Sequence, residues 1–445
     1  MNDSVHPFKT RPHWTLLALS VPVLVSMIAE PLTALVDTAF ISSLGVNPLA
    51  ALGVGTTALS SLFWIFNFLG VGTQTEVAQV FGKGKVEQAK KIASLALALA
   101  LGFGLFLILV ISPISNWLAE LLGASGEVQE LSVTYMQIRL YGAPAVLLLM
   151  VAFGALRGLQ DMRSPLWIAL GVNVLNLLLD WALIFGPGPF PELGVAGSAL
   201  ASTISQWLGA LAGILITARK IGLSTEFTLR DAQKLLKVGG DLFIRTALLN
   251  IFLAYTTRVA NSISPDAGAA HQVIRQVYVF TALALDAFAS TVQSLVGYFV
   301  GQDSVDWAKQ VVRVGMAWSL GTGIALGALM WWGRQPLIDL MVPIASINVF
   351  LPAWAISALS QPFNSLAFLT DGAHWGTGDY KFLRNAMLAA TLIGVAGIWL
   401  VVEQGKLQTL YWVWIVTAVW VLVRAGFGVL RVWPGIGNSI FRSAA

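Results

Sequence analysis

Two carboxylates stand inside an apolar run of membrane-spanning length. From Pro22 to Ile41 the chain reads PVLVSMIAEPLTALVDTAFI, with Glu30 and Asp37 among apolar neighbours and prolines at 22 and 31. Charging a side chain at a bilayer centre costs about 3 kcal/mol on insertion scales, so such residues are usually functional. Seven residues are about two helical turns, which puts Glu30 and Asp37 on one face. Proline removes a backbone donor, so Pro22 and Pro31 soften the helix beside its acids. The alternative is a kinked helix whose acids are neutralised by neighbours.

A second constellation lies in the run Asn173-Val-Leu-Asn176-Leu-Leu-Leu-Asp180. Asn176 and Asp180, four apart, stack on a helix face, with Asn173 on the adjoining face. An acid flanked by amides offers hard oxygen ligands suited to Na⁺, or a hydrogen-bond network that tunes a proton site. The following run opens Gly194-Val-Ala-Gly197-Ser198 and carries Ser202 and Thr203, small and hydroxylic residues that permit close packing. Polar residues can also be interhelical glue, but two acids in the same half favour transport chemistry.

The elements that must hold these residues are membrane helices. The chain has 445 residues, 57% hydrophobic and 11% charged, with 42 glycines and no cysteine, and a mean hydropathy of +0.77. Soluble domains carry about 25% charged residues, so the deficit decides for a polytopic membrane protein. Without cysteine there is no disulfide or thiolate chemistry. About 20 apolar residues cross a bilayer. Such runs fall near 14–44, 48–81, 92–118, 132–156, 165–186, 194–218, 239–263, 268–300, 311–332, 349–370, 383–402 and 409–432. About twelve spans follow.

Basic residues cluster in the connectors after even-numbered spans, as in Lys83, Lys85, Lys90 and Lys91, while Arg334 and Lys406 are the exceptions on the other side. By the positive-inside rule both termini face the cytoplasm. The polar first dozen residues resemble neither a signal peptide nor a transit peptide, so an inner or plasma membrane is expected over a plastid envelope. The +4 net charge reflects these loops, and no nucleic-acid partner is expected.

The chain repeats itself. Phe81-Gly82 and Val300-Gly301 close equivalent spans at an offset of 219, and Pro144 pairs with Pro362, Gly154 with Gly372 and Asp161 with Asp379 at 218. Six spans per half make the repeat parallel, a frame suited to alternating access. The expected division is an amino-terminal lobe over 1–220, a cytoplasmic linker over 221–237 and a carboxy-terminal lobe over 238–445. The halves differ in chemistry, since Thr256 stands at the place of Asp37 and apolar sequence near Trp399 at that of Asp180.

The run from Pro31 through Asp37 to Leu52, the Asn173–Asp180 run and Gly194–Ala199 together resemble the multidrug and toxic compound extrusion (MATE) family, DinF-like branch, of the wider MOP superfamily. The likeness extends through His271-Gln272 and Asp371-Gly372. It implies an all-α, twelve-helix antiporter of two pseudo-symmetric six-helix lobes. By that resemblance Asp37 is the central cation-coupling carboxylate, its pocket partners are Asn176, Asp180 and Ser202, and Pro22 bends the first helix. Glu30-Pro31 departs from the pattern, leaving Glu30 a second proton site or a structural departure.

In the second half, Asp286, Gln272, Arg275, Arg258 and Asp371 are candidates for a cavity. Arg275 and Asp286 are three turns apart, about 16 Å, too far for a direct pair. Arg258 and Arg275 either snorkel or suit an anionic substrate. Asp371, at the end of the tenth span, reads as a loop cap more than a ligand.

No metal-spaced histidines, phosphate-binding loop or nucleophile elbow occurs, so an enzyme is not expected. The reading is a monomeric secondary-active exporter of small organic compounds, needing a lipid bilayer and no cofactor, driven by inward H⁺ or by Na⁺ held at Asp37, Asn176, Asp180 and Ser202. A lipid-linked oligosaccharide flippase is the alternative, against which the acidic first half and span count argue.

Overall fold

The computed structural model describes residues 5–226, 229–403 and 409–442. Apolar sequence that must satisfy its own backbone forms helices, and the chain does so almost throughout. After a short α1 (Pro7–Thr10), α2 (Pro12–Ser42) continues without interruption through Pro22 and Pro31. Proline offers no N–H, so the carbonyls of Ala18 and Met27, four residues before each, lose their helical donors. Helices α3 (Val46–Ile65) and α4 (Asn67–Gly82) form one long stretch. They are followed by α5 (Val86–Ile111), α6 (Ser115–Leu121), α7 (Gly126–Leu140), α8 (Ala143–Gly158), α9 (Arg163–Phe185) and α10 (Val195–Ile221). The second half runs α11 (Leu229–Ile263), α12 (Pro265–Gly301), α13 (Val305–Trp332), α14 (Arg334–Met341), α15 (Ile347–Thr377), α16 (Tyr380–Glu403) and α17 (Leu410–Val432). Among the described residues, eleven stretches are long and apolar enough to cross a membrane. Counting α7 and α8, bent by 48°, as one span makes twelve.

The chain divides into two compact units, Val21–Gly239 and Gly240–Ala445, the latter joined by Met1–Ser20. The first twenty residues, expected with the amino-terminal lobe, therefore pack with the second half. The reason is aromatic: Phe8 is fully buried against Phe299, and the Lys9 ammonium lies over the Trp307 ring at 5.6 Å. Phe441 belongs to the same apolar cluster, which brings Phe8 and Phe441 to one region of this unit. In the region expected as the linker, 221–237, the membrane-length part of the next helix begins only at Leu236, and the units divide between Gly239 and Gly240. Residues 227 and 228 lie outside the described residues, and from Leu229 the chain is already helical.

The internal repeat is visible in how helices touch. A Cβ on Gly154 of α8 would overlap the carbonyl oxygen of Gly70 on α4, and one on Gly372 of α15 would overlap that of Ala289 on α12. One turn on, a Cβ at Gly158 would come to 2.7 Å from the Gln74 oxygen, and one at Gly376 to 2.6 Å from that of Gln293. Small residues let membrane helices approach until backbones touch. Each unit uses that crossing, between its second and fourth spans.

Candidate cation site

The first unit brings its acids together. Asp37, half-buried on α2, and Asp180, fully buried on α9, place their carboxyls in close approach, with the Ser198 hydroxyl of α10 beside Asp180. Asn176, one turn before Asp180, donates from Nδ2 to Asp180 Oδ2 at 2.8 Å. Asp37 Oδ1, Asp180 Oδ1 and Ser198 Oγ are buried, and make no hydrogen bond of proper geometry among the described residues. Two carboxylates in contact repel unless a proton or a cation lies between them. The arrangement can therefore hold a proton, or a cation that adds the Asn176 amide and the serine hydroxyl to two carboxylates. Among the described residues no three His, Asp or Glu side chains converge on a metal position.

The hydroxyl that reaches Asp180 is that of Ser198; Ser202 is buried one turn further along α10. Helix spacing puts both serines on one face and leaves open which turn meets α9. Asn173 is half-buried one turn before Asn176, and Glu30 is exposed on α2. Two more groups belong here. Arg139, in the last turn of α7, lies within Coulombic reach of Glu30, Asp37 and Asp180, and Tyr135, one turn earlier, lies beside it. Sequence reasoning passed over both. The available signal was a lone arginine inside the fourth span, three residues before Gly142 and five before Pro144.

The second unit is built differently. Thr256 is buried at the place of Asp37, and the neighbouring Thr257 Oγ1 lies 3.2 Å from His271 Nε2. Asp371 is not a loop cap. It is buried within α15, where the guanidiniums of Arg245 on α11 and Arg424 on α17 converge on its Oδ2, the latter at 2.8 Å. The arginines are braced by aromatic faces, Arg245 over Trp375 at 4.9 Å and Arg424 over Trp420 at 4.5 Å. Asp286, half-buried on α12, lies within Coulombic reach of Arg245. Gln272 and Arg258 are exposed and Arg275 is half-buried, away from this cluster's ion pairs.

A family description named MatE matches residues 22–182 and again residues 241–400, one copy on each half. The chain belongs to the MatE family. Over 412 residues it is 30% identical to Protein DETOXIFICATION 44, chloroplastic, of Arabidopsis thaliana, covering 86% of this chain and 78% of the relative. It is 29% identical to DNA damage-inducible protein F of Escherichia coli (strain K12), covering 96% of this chain and 93% of that one. The solved structure "Crystal structure of MATE in complex with MaD5" superposes with a TM-score of 0.86 over 97% of each chain at 22% identity, a likeness of fold. This MatE protein is thus a multi-pass membrane transporter of small molecules, not an enzyme.

Proposed function

We propose that this MatE protein exports small organic compounds by antiport, with inward H⁺ or Na⁺ loading the Asp37–Asp180 pair and alternating access moving the cargo. The observation that carries the proposal is the close approach of two buried carboxyl oxygens, Asp37 Oδ1 and Asp180 Oδ1, with no guanidinium or ammonium paired to either among the described residues. In the second unit the buried acid Asp371 is already met by two guanidiniums, so its charge is spent internally.

Unloaded, the two carboxylates repel; loaded, they can close on one another. Closure pulls on α2, which lacks helical donors at Ala18 and Met27 and so yields there before a fully bonded helix would. An ion shifts the inward–outward equilibrium only by its difference in affinity for the two states, and a carboxyl pair whose separation changes supplies that difference. The reading includes a plasma-membrane location with both termini cytoplasmic, supported by the positive-inside pattern.

Purified protein in lipid vesicles, loaded with a fluorescent organic dye, tests the proposal. A pH gradient and a Na⁺ gradient are applied separately. One of them drives dye movement against its concentration gradient; uphill movement under neither overturns the antiport reading.

A further inference from the structure

The fourth span is broken where it passes the acids. Helix α7 ends at Leu140, the chain turns at Tyr141–Gly142, and α8 starts with Pro144 in its first turn, at a 48° bend. A break frees backbone carbonyls that hydrocarbon cannot satisfy. Helix α10 receives them: Thr203 Oγ1 donates to the Ile138 carbonyl at 3.2 Å and Trp207 Nε1 to the Tyr141 carbonyl at 3.0 Å. Between these two, Gln206 Oε1 accepts from Arg139 Nη1 at 2.7 Å. Thr203, Gln206 and Trp207 are spaced i, i+3, i+4 and so form one face. The guanidinium is thereby fixed by the same helix whose Ser198 stands beside Asp180.

The charged and titratable groups facing Arg139 are few. From α2 come Glu30 and Asp37, from α9 Asp180, and from α7 itself Tyr135. Helix α10 contributes no charged side chain before Arg219. Three carboxyls thus lie within Coulombic reach of one fixed positive charge.

Building on the antiport reading, we propose that Arg139, clamped by Gln206 at the break, is a positioning residue that acts as built-in counter-cation of the acid cluster and competes with the coupling ion for it. When the ion leaves, the carboxylates keep a positive partner that cannot leave. The site can then release its load at a pH where an unaccompanied carboxyl pair would hold it. Arg139 sets the loading threshold without itself being carried.

The test reads the carboxyls directly. Infrared titration of the full-length protein in lipid follows the protonated-carboxyl C=O band against pH, with no cargo required. Loss of a band component in both Asp37→Asn and Asp180→Asn assigns it to the pair. In Arg139→Gln the midpoint of that component should rise, since a positive charge within Coulombic reach favours the ionised acid. Arg139→Lys should restore most of the original midpoint. Gln206→Leu keeps the charge but releases it, and should move the midpoint the same way by less; it also serves if Arg139→Gln does not fold. An unmoved midpoint in the folded Arg139→Gln or Gln206→Leu protein, or an equal displacement in Arg139→Lys, overturns the proposal. A band unaffected by Asp37→Asn and Asp180→Asn instead overturns the antiport reading beneath it.

Discussion

Arg424 Nη2 donates to Asp371 Oδ2 across 2.8 Å, and so ties α17 to α15 inside the apolar body of the second unit. Arg245 of α11 meets the same oxygen, making one carboxylate the junction of three helices.

Removing that carboxylate leaves two buried guanidiniums without the acid that both of them meet. Breaking a buried pair by deleting one partner costs about 3–5 kcal/mol. Asp371→Ala should therefore lower the unfolding temperature of the detergent-solubilised protein more than any single substitution of the exposed Gln272. An unchanged melting curve would show that water or lipid headgroups already solvate the arginines.

The repeated crossing makes a paired prediction. Gly154→Ala and Gly372→Ala each place a methyl group on a backbone oxygen of the partner helix, Gly70 and Ala289 respectively. Backbone cannot step aside as a side chain does, so both variants should lose most of their folded yield. Gly102→Ala on α5 meets nothing within 4 Å and should express normally. Size-exclusion profiles of fluorescent fusions compare the three.

Outside the spans, Asp161 offers a pH signature. Partial burial raises the affinity of its carboxyl for a proton, but hydrogen bonds from Ser164 Oγ, from the Ser164 and Arg163 backbone, and from Lys220 outweigh it and hold the group below the usual carboxylate range. A lowered folded-state value adds stability that is present above the ordinary carboxylate range and fades as pH falls through the lowered value. Asp161→Asn should cost about 1 kcal/mol at pH 7, as for other helix-capping carboxylates, and nothing once wild type is itself protonated. Thermal melts across pH 3–7 read the converging difference.

Much of this was legible in the chain. Apolar runs of about 20 residues mark spans whatever they pack against, and an offset near 218 survives in Gly154/Gly372 because a backbone contact admits no larger residue. Asn176 and Asp180 were legible as partners since i, i+4 spacing alone brings them together. Ser198 was not distinguished from Ser202, because that choice depends on how far α10 is slid along α9. Arg139 went unnoticed because its acids come from α2 and α9, far off in sequence. Asp371 was misread for the same reason: its partners stand 126 and 53 residues away. The N-terminal segment's allegiance turned on one buried ring, Phe8, which composition treats as part of a polar tail.

The central claim is that Asp37 and Asp180 harvest the gradient as a pair. Gradient-driven dye export is measured in vesicles bearing wild type, Asp37→Asn, Asp180→Asn and the double variant, each checked for equal insertion and thermal stability. Because two groups acting as one unit are strongly non-additive, each single variant should abolish gradient-driven export as fully as the double. Undiminished export by either single variant would contradict the account.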